Sequence, residues 1–438
     1  MKDLTQGSVK RHFFSYLIPS ILATLVTSVY TLADTIMIGQ YEGDNGLLAL
    51  NIFLPVYSIY MAIGTLFGVG GGVRYSFYIG RKDYRQAKSC FTNALFLFGI
   101  TLVLFVAALN IWFEPIMRLF GADDGSLPLV TKYGKYVAWL GAFVAIALFL
   151  ETFLRNDNNP KLAMAAVVSG GLFNIGLDYI LVFVVDMGMA GAALATVVSY
   201  ILTTLICCAH FFRKDNGLKL HKSISLKNAR AIVSSGISSF VIEIALAVMI
   251  IIFNNRLLKV VGDYGVVTYG VITNTLIVAI SMYNGVAQAC QPIASVNYGA
   301  EIFDNVKKLR RLAYLVVGAM SVAFLLPVQI APNAFVHMFT SAPSDKVLAL
   351  APKAVRIYFI ALPFMGLNIF FTSYYQSVAK PVTAFVLSIL RGVVIGGILA
   401  YALPPLFGGF SLWFIVPIAE IVTFAVALFG IKKSLPLD

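Results

Sequence analysis

The chain alternates long apolar runs with short polar segments. A membrane core about 30 Å thick takes about 20 apolar residues of helix. Runs of that length fall at 13–38, 47–73, 90–113, 133–154, 161–185, 190–212, 236–258, 266–291, 310–331, 352–375, 381–403 and 411–431. The pattern predicts twelve spanning helices. The first run is too long for a cleavable leader, and no small-x-small cleavage site follows it.

Composition sharpens this picture. Of the 438 residues 59% are apolar and 12% charged, against about 25% charged in an average soluble domain. A soluble globule, a disordered chain and a nucleic-acid-binding domain are thereby excluded. The net charge of +12 does not change that, because Lys and Arg cluster in the short segments between runs, as in membrane loops. With both termini cytoplasmic, 23 Lys and Arg fall on the inner side, 8 on the outer, and Arg391 within a span. That asymmetry predicts a multi-pass protein of a bacterial or archaeal plasma membrane with both ends in the cytoplasm. The four cysteines lie in or beside apolar runs, so no disulfide framework is implied.

The chain also matches itself at an offset of 219–221 residues. Gly80 falls on Gly299, Phe143 on Phe364, Phe149 on Phe370, Pro160 on Pro381, Ala163 on Ala384 and Gly188 on Gly409. The predicted fold is therefore all-α: twelve transmembrane helices in two six-helix lobes, related by a pseudo-two-fold axis along the membrane normal. The N-lobe is 1–212, a basic cytoplasmic linker 213–235, and the C-lobe 236–438. Paired lobes of this kind are the usual frame of alternating-access transporters.

No G-x-x-x-x-G-K-[ST] occurs, so active transport here needs an ion gradient rather than ATP. Gly68, Gly70, Gly71 and Gly72 lie in an apolar helix without a βαβ context, where they serve close helix approach. Ionisable groups within spans are costly and are functional candidates by default. Asp34, Asp178, Glu243, Arg391 and Glu420 lie well inside runs, whereas Glu151 lies near a run's inner end and is read as reaching the interface. Counted from the span ends, Asp34, Asn174, Asp178 and Thr196 share the outer third of the first half. Asn174 and Asp178, four residues apart, share one helix face. Two carboxylates, an amide and a hydroxyl offer hard oxygen acceptors, which suit Na⁺ or a shared proton. Arg391 and Glu420 are read as a structural ion pair, and Glu243 as a secondary candidate. Aromatics crowd spans four and ten (Phe143, Phe149, Phe153; Phe364, Phe370, Phe371, Tyr374, Tyr375), fewer than half of them expected to line a cavity. Neither metal-ligand spacing of the four histidines nor a nucleophile set is present, so no enzyme, catalytic residue or cofactor is expected, and no metal beyond Na⁺ at the cation site.

These residues resemble the multidrug and toxic compound extrusion (MATE) family, over essentially the whole chain. The resemblance rests on TLADTIMIG in span one, RNDNNPKLAM and NIGLDYI around span five, MGMAGAALATVVSY in span six, and GVAQACQPIASVNYGA closing span eight. It implies a secondary exporter that exchanges Na⁺ or H⁺ for small-molecule drugs, often organic cations, working in the lipid bilayer as a monomer without nucleic acid. In the family's DinF-like branch, an Asp on helix one, Asn-x-x-x-Asp on helix five and a Thr on helix six form a cation site. Asp34, Asn174, Asp178 and Thr196 match these. Pro19, fifteen residues before Asp34, matches a proline linked to bending of helix one. The family's other main bacterial branch carries an acid on helix ten, and ALPFMGLNIFF here has none, while Glu243 roughly matches that branch's helix-seven acid. Two alternatives remain. A flippase for a lipid-linked precursor calls for a basic cavity, and only Arg391 lies mid-span; an integral membrane enzyme calls for a catalytic set.

Overall fold

The structure, a computed structural model, describes residues 4–222, 224–339 and 344–431, and among these there is helix and turn but no strand. The chain ends expected in the cytoplasm, 1–3 and 432–438, lie outside the described residues. Ten helices are long and apolar enough to cross a membrane, and two helix pairs, each bent by 44°, bring the number to twelve. In order they are α1 (Val9–Gly43), α2 (Asn45–Gly80), α3 (Tyr84–Ile111), α4 (Leu127–Leu140 with Ala142–Asn156), α5 (Pro160–Val184) and α6 (Met189–Phe212). The second half follows as α7 (Leu226–Val260), α8 (Asp263–Gly299), α9 (Phe303–Ile330), α10 (Asp345–Phe359 with Leu362–Ser377), α11 (Pro381–Phe407) and α12 (Gly409–Gly430).

Two features depart from the run pattern. Spans four and ten are broken, which continuous hydropathy cannot show. At Gly141 the freed carbonyl of Ala138 accepts from Tyr60 Oη at 2.8 Å and Asn110 Nδ2 at 3.0 Å. In α10 the break precedes Pro363, which occupies the first turn of the helix after it and cannot continue a ladder from the helix before. The second departure is the linker, which is helical from Leu226. Two of its polar residues are buried against the first half: Asn228 Nδ2 donates to Ser89 Oγ at 3.0 Å, and Ser235 Oγ accepts from Arg74 Nε at 3.1 Å.

The internal repeat is visible in the backbone. The 28-residue α3 and the 28-residue α9 start 219 positions apart, at Tyr84 and Phe303. A short helix follows each, Phe113–Leu119 and Pro332–Phe339, and then the bent span. Left-handed φ values recur at offsets of 219 to 221: Gly43 and Gly262, Lys82 and Glu301, Asn158 and Ala379, Gly188 and Gly408. One wide π turn occurs in each half, Ile180–Val184 in α5 and Leu390–Val394 in α11, but at different distances from the helix start.

The halves meet backbone to backbone at the face where the N-terminus lies. A Cβ on Gly80 would fall on the Val296 carbonyl oxygen, and one on Gly299 would fall on that of Phe77. These two contacts exchange under the 219-residue offset, so the pseudo-two-fold passes between α2 and α8 here. Gly70 lies likewise on the Ile232 carbonyl, and Gly236 on that of Leu66. Arg81 pairs with Glu301 at 3.6 Å beside them. Higher up, Ser28 and Ser281 touch through their hydroxyls. Among the described residues, the hydrogen bonds joining the halves lie between that contact and the N-terminal face.

Packing also interleaves the halves at this face. Val9, Phe13, Tyr16 and Leu17 of α1 are buried in the same apolar cluster as α8, α9 and α10. Tyr30 and Ile38, further along α1, belong to the cluster of α2 to α6. Pro19 stands between the two stretches, and the helix runs through it unbroken.

If glycine contact closes this face, Gly80→Val forces about three extra heavy atoms onto backbone and costs about 1–3 kcal/mol of closed-state stability. An Arg81→Cys/Glu301→Cys pair should therefore cross-link efficiently in the native background and poorly with Gly80→Val. Gly270→Ala, whose Cβ would meet nothing within 4 Å, should not change the yield. Equal yield in all three would show that the face closes by other contacts.

Candidate cation site in the first half

Local sequence brings α1, α5 and α6 close enough to share side chains. Gly171 of α5 sits where a Cβ would strike Val26 and Tyr30 of α1, and Gly170 where one would strike Thr203 of α6. At that crossing Asn174 and Asp178 face inward from α5, with Asn174 at 2% exposure and Asp178 at 0%. Thr196 of α6 is buried, and Asp34 of α1 half-buried. Asp34, Asn174 and Thr196 line one cavity of about 70 Å³, with Tyr30, Tyr57 and Tyr133 completing its polar wall. Asp178 lies within electrostatic range of Asp34. The π turn begins two residues after Asp178, with Val185 N–H donating to the Ile180 carbonyl. Such wide turns concentrate at functional sites.

Four polar atoms here find no partner among the protein's own groups: Asp34 Oδ1, Asn174 Nδ2 and both carboxylate oxygens of Asp178. A buried unsatisfied polar group costs about 1–3 kcal/mol, and more when charged. Among the described residues no Lys or Arg pairs with either carboxylate, and two buried carboxylates in electrostatic range of each other call for compensating positive charge. The donor set is all oxygen apart from one amide nitrogen, which fits a small hard cation or a proton.

A second cavity of about 40 Å³ adjoins the first. Tyr30, Asn174 and Thr196 line both, and Glu151, Ser199 and Tyr200 line only the second. Between them runs a chain of phenols: Tyr200 Oη accepts from Tyr57 Oη at 2.7 Å and bonds Tyr30 Oη at 2.8 Å. Glu151 is 7% exposed, and its counter-charge is Arg155, one turn on at 3.8 Å. The expectation that Glu151 reaches the interface is therefore corrected. α4 continues to Asn156, which keeps that turn inside the protein.

Sequence reasoning missed Glu151, Tyr30, Tyr57, Tyr133 and Tyr200. Part of the signal was present, since Tyr30 lies four residues before Asp34 and Tyr200 four after Thr196, on the same helix faces. The aromatic-rich stripes lie elsewhere. Phe149 stacks on Phe98 at 4.6 Å, and Phe370, Phe371, Tyr374 and Tyr375 are buried in the second half's core.

The other intramembrane charges stand apart from this cluster. Arg391 Nε donates to Glu420 Oε1 at 2.7 Å, and Asn368 Nδ2 donates to Glu420 Oε2 at 2.7 Å. The second half thus neutralises its own buried acid across α10, α11 and α12. Glu243 of α7 is half-buried and lines neither cavity. Among the described residues no three His, Cys, Asp or Glu side chains cluster to hold a metal ion.

Comparison with known proteins identifies the family and the fold. The Multidrug export protein MepA of Staphylococcus haemolyticus is 25% identical over 444 residues, spanning 99% of this chain and 96% of that protein. The MepA of Staphylococcus aureus strain MRSA252 is 26% identical over 408 residues, 92% of this chain and 89% of its own. An outward-facing multidrug resistance MATE family transporter of the MOP superfamily superposes with a TM-score of 0.92 at 22% identity, over 99% of this chain and 98% of that one. A MATE structure in the bent conformation superposes at 0.90 with 21% identity over the same shares. The MatE family model matches residues 19–180 and again 237–402, once in each half. This multi-pass membrane protein belongs to the MatE family, whose members are transporters and not enzymes.

Proposed function

We propose that the chain exports drugs, organic cations among them, in exchange for Na⁺ or H⁺, by alternating access between an N-lobe of 1–212 and a C-lobe of 236–438 linked by 213–235. The observation that carries this reading is the set of unpartnered polar atoms on Asp34, Asn174 and Asp178. A transporter coupled to a cation needs a buried anionic site whose occupancy differs between conformations, and the second half holds no such uncompensated pair. The names of the MepA relatives support the export of many compounds, and the matched Asn-x-x-x-Asp favours the DinF-like branch. Basic residues favour the cytoplasm for the N-terminal face, so the site loads from outside. The protein acts as a monomer and requires no cofactor; the coupling ion is cargo.

Neutralising Asp34 and Asp178 removes their mutual repulsion and lets α1 close on α5. α1 transmits the change because its first turns belong to one apolar cluster and its later turns to the other. Pro19, which lacks the N–H that would lock the helix there, is the flexing point. Drug and cation compete through this shared equilibrium. Glu243 is held as a secondary site candidate, and Arg391 with Glu420 as a structural pair.

In proteoliposomes with Na⁺ and proton gradients imposed separately, Asp178→Asn should lose at least tenfold of gradient-driven efflux while remaining folded and inserted, since the substitution lowers the insertion cost. Asp34→Asn should behave alike. Undiminished efflux by Asp178→Asn would remove this residue from the mechanism.

Glu151 generates a separate prediction. Glu151→Gln leaves the Arg155 guanidinium buried without its counter-charge and should cost about 3 kcal/mol. Adding Arg155→Gln should restore most of that loss, read by unfolding in a detergent titration. Strictly additive losses would show that the two side chains do not interact.

A further inference from the structure

A basic hollow on the N-terminal face lies away from the cation site. It has a volume of about 360 Å³ and is walled by the start of α1 and by one face of α9. Lys10 comes from α1, and Lys308, Arg311, Leu312 and Leu315 from α9. All three basic residues are exposed, and none forms an ion pair among the described residues. Asp304, one turn before Lys308, is also exposed and does not pair with it. The α1 start adds backbone donors, because Ser8 makes no side-chain cap and the first intrahelical bond there comes from His12 N–H. The positive end of the α1 helix dipole thus lies beside the three cations.

The α9 wall has a directed polarity. Positions 308, 311, 312 and 315 fall on one helix face. The two cations lie toward the loop, and the two leucines lie up to about 10 Å deeper along the axis. Leu315 is 71% exposed, on a helix built to face hydrocarbon. A soluble anion uses only the charged end of such a wall. A ligand with a phosphate at one end and an acyl chain at the other uses all of it. Basic pockets between spanning helices take anionic lipid headgroups in this manner.

We propose that this hollow binds the headgroup of an anionic glycerophospholipid, with the phosphate among Lys10, Lys308, Arg311 and the first-turn amides of α1, and an acyl chain along Leu312 and Leu315. The lipid ties the segment of α1 before Pro19 to α9. The site is independent of the export reading, since it shares no residue with the cation cluster.

The test uses the full-length protein, delipidated in detergent and titrated with phosphatidylglycerol or phosphatidylcholine, with retained lipid counted by native mass spectrometry. Phosphatidylglycerol should be retained at one molecule per chain under conditions that strip phosphatidylcholine. Lys308→Gln/Arg311→Gln should weaken that retention on the order of tenfold, while Lys214→Gln/Lys222→Gln, which removes the same charge elsewhere on this face, should not. Lys308→Arg/Arg311→Lys should bind like wild type. Equal retention of the two lipids by wild type would overturn the proposal without reference to any variant. Displacement of phosphatidylglycerol by an equal concentration of inorganic phosphate or glycerol 3-phosphate would reassign the hollow to a free anion.

Discussion

The structure depends on a backbone contact that only glycine permits. Gly80 against Val296 and Gly299 against Phe77 bring α2 and α8 together at one face, and Gly70 and Gly236 do the same for α2 and α7. Without side chains between them the helices gain dispersion contact along their backbones, which is the main attraction available where lipid removes the hydrophobic drive between helices. The contact sits at one end of long helices, so it closes that face of the molecule. Alternating access requires such a closure to be reversible.

Charge distribution divides the halves as clearly as packing does. The second half closes its buried Glu420 with Arg391 and Asn368. The first half leaves carboxylate oxygens of Asp34 and Asp178 without a protein partner, and pairs Glu151 with Arg155 behind a wall of tyrosines. Placing carboxylates at this depth costs about 2.5–3.5 kcal/mol each on insertion scales. The duplicated fold is therefore asymmetric in how it treats Asp34 and Asp178 on one side and Glu420 on the other, and in the proposed mechanism the ion acts through α1, α5 and α6. α1 crosses from one apolar cluster to the other at Pro19, which makes it the element that the proposed mechanism uses to carry a charge change from the first half to the second.

Much of this was legible in the sequence, for identifiable reasons. Apolar runs mark spans because every backbone group in lipid must be satisfied within the helix. The Asn174 and Asp178 pair was legible because four residues return to one face whatever the span boundaries are. Depth counted from span ends placed Asp34 and Thr196 beside them, and the structure lines one cavity with Asp34, Asn174 and Thr196. Glu151 was misplaced because its assignment depended on a boundary, and the helix runs further than the apolar run. The breaks at Gly141 and before Pro363 were hidden because hydropathy continues across them. The helical start of α7 was hidden because its polar residues resemble a linker until Ser89 and Arg74 are seen to receive them.

The central claim is that the charge state of Asp34 and Asp178 sets whether the glycine-closed face stays closed. Spin labels on Tyr84→Cys and Asp304→Cys, exposed positions at the starts of α3 and α9, report the separation of the halves there. In lipid nanodiscs the distance distribution should shift between a shorter and a longer population as pH or Na⁺ is titrated. With Asp34→Asn/Asp178→Asn it should remain in one population throughout. An identical response with and without the two carboxylates would contradict the account.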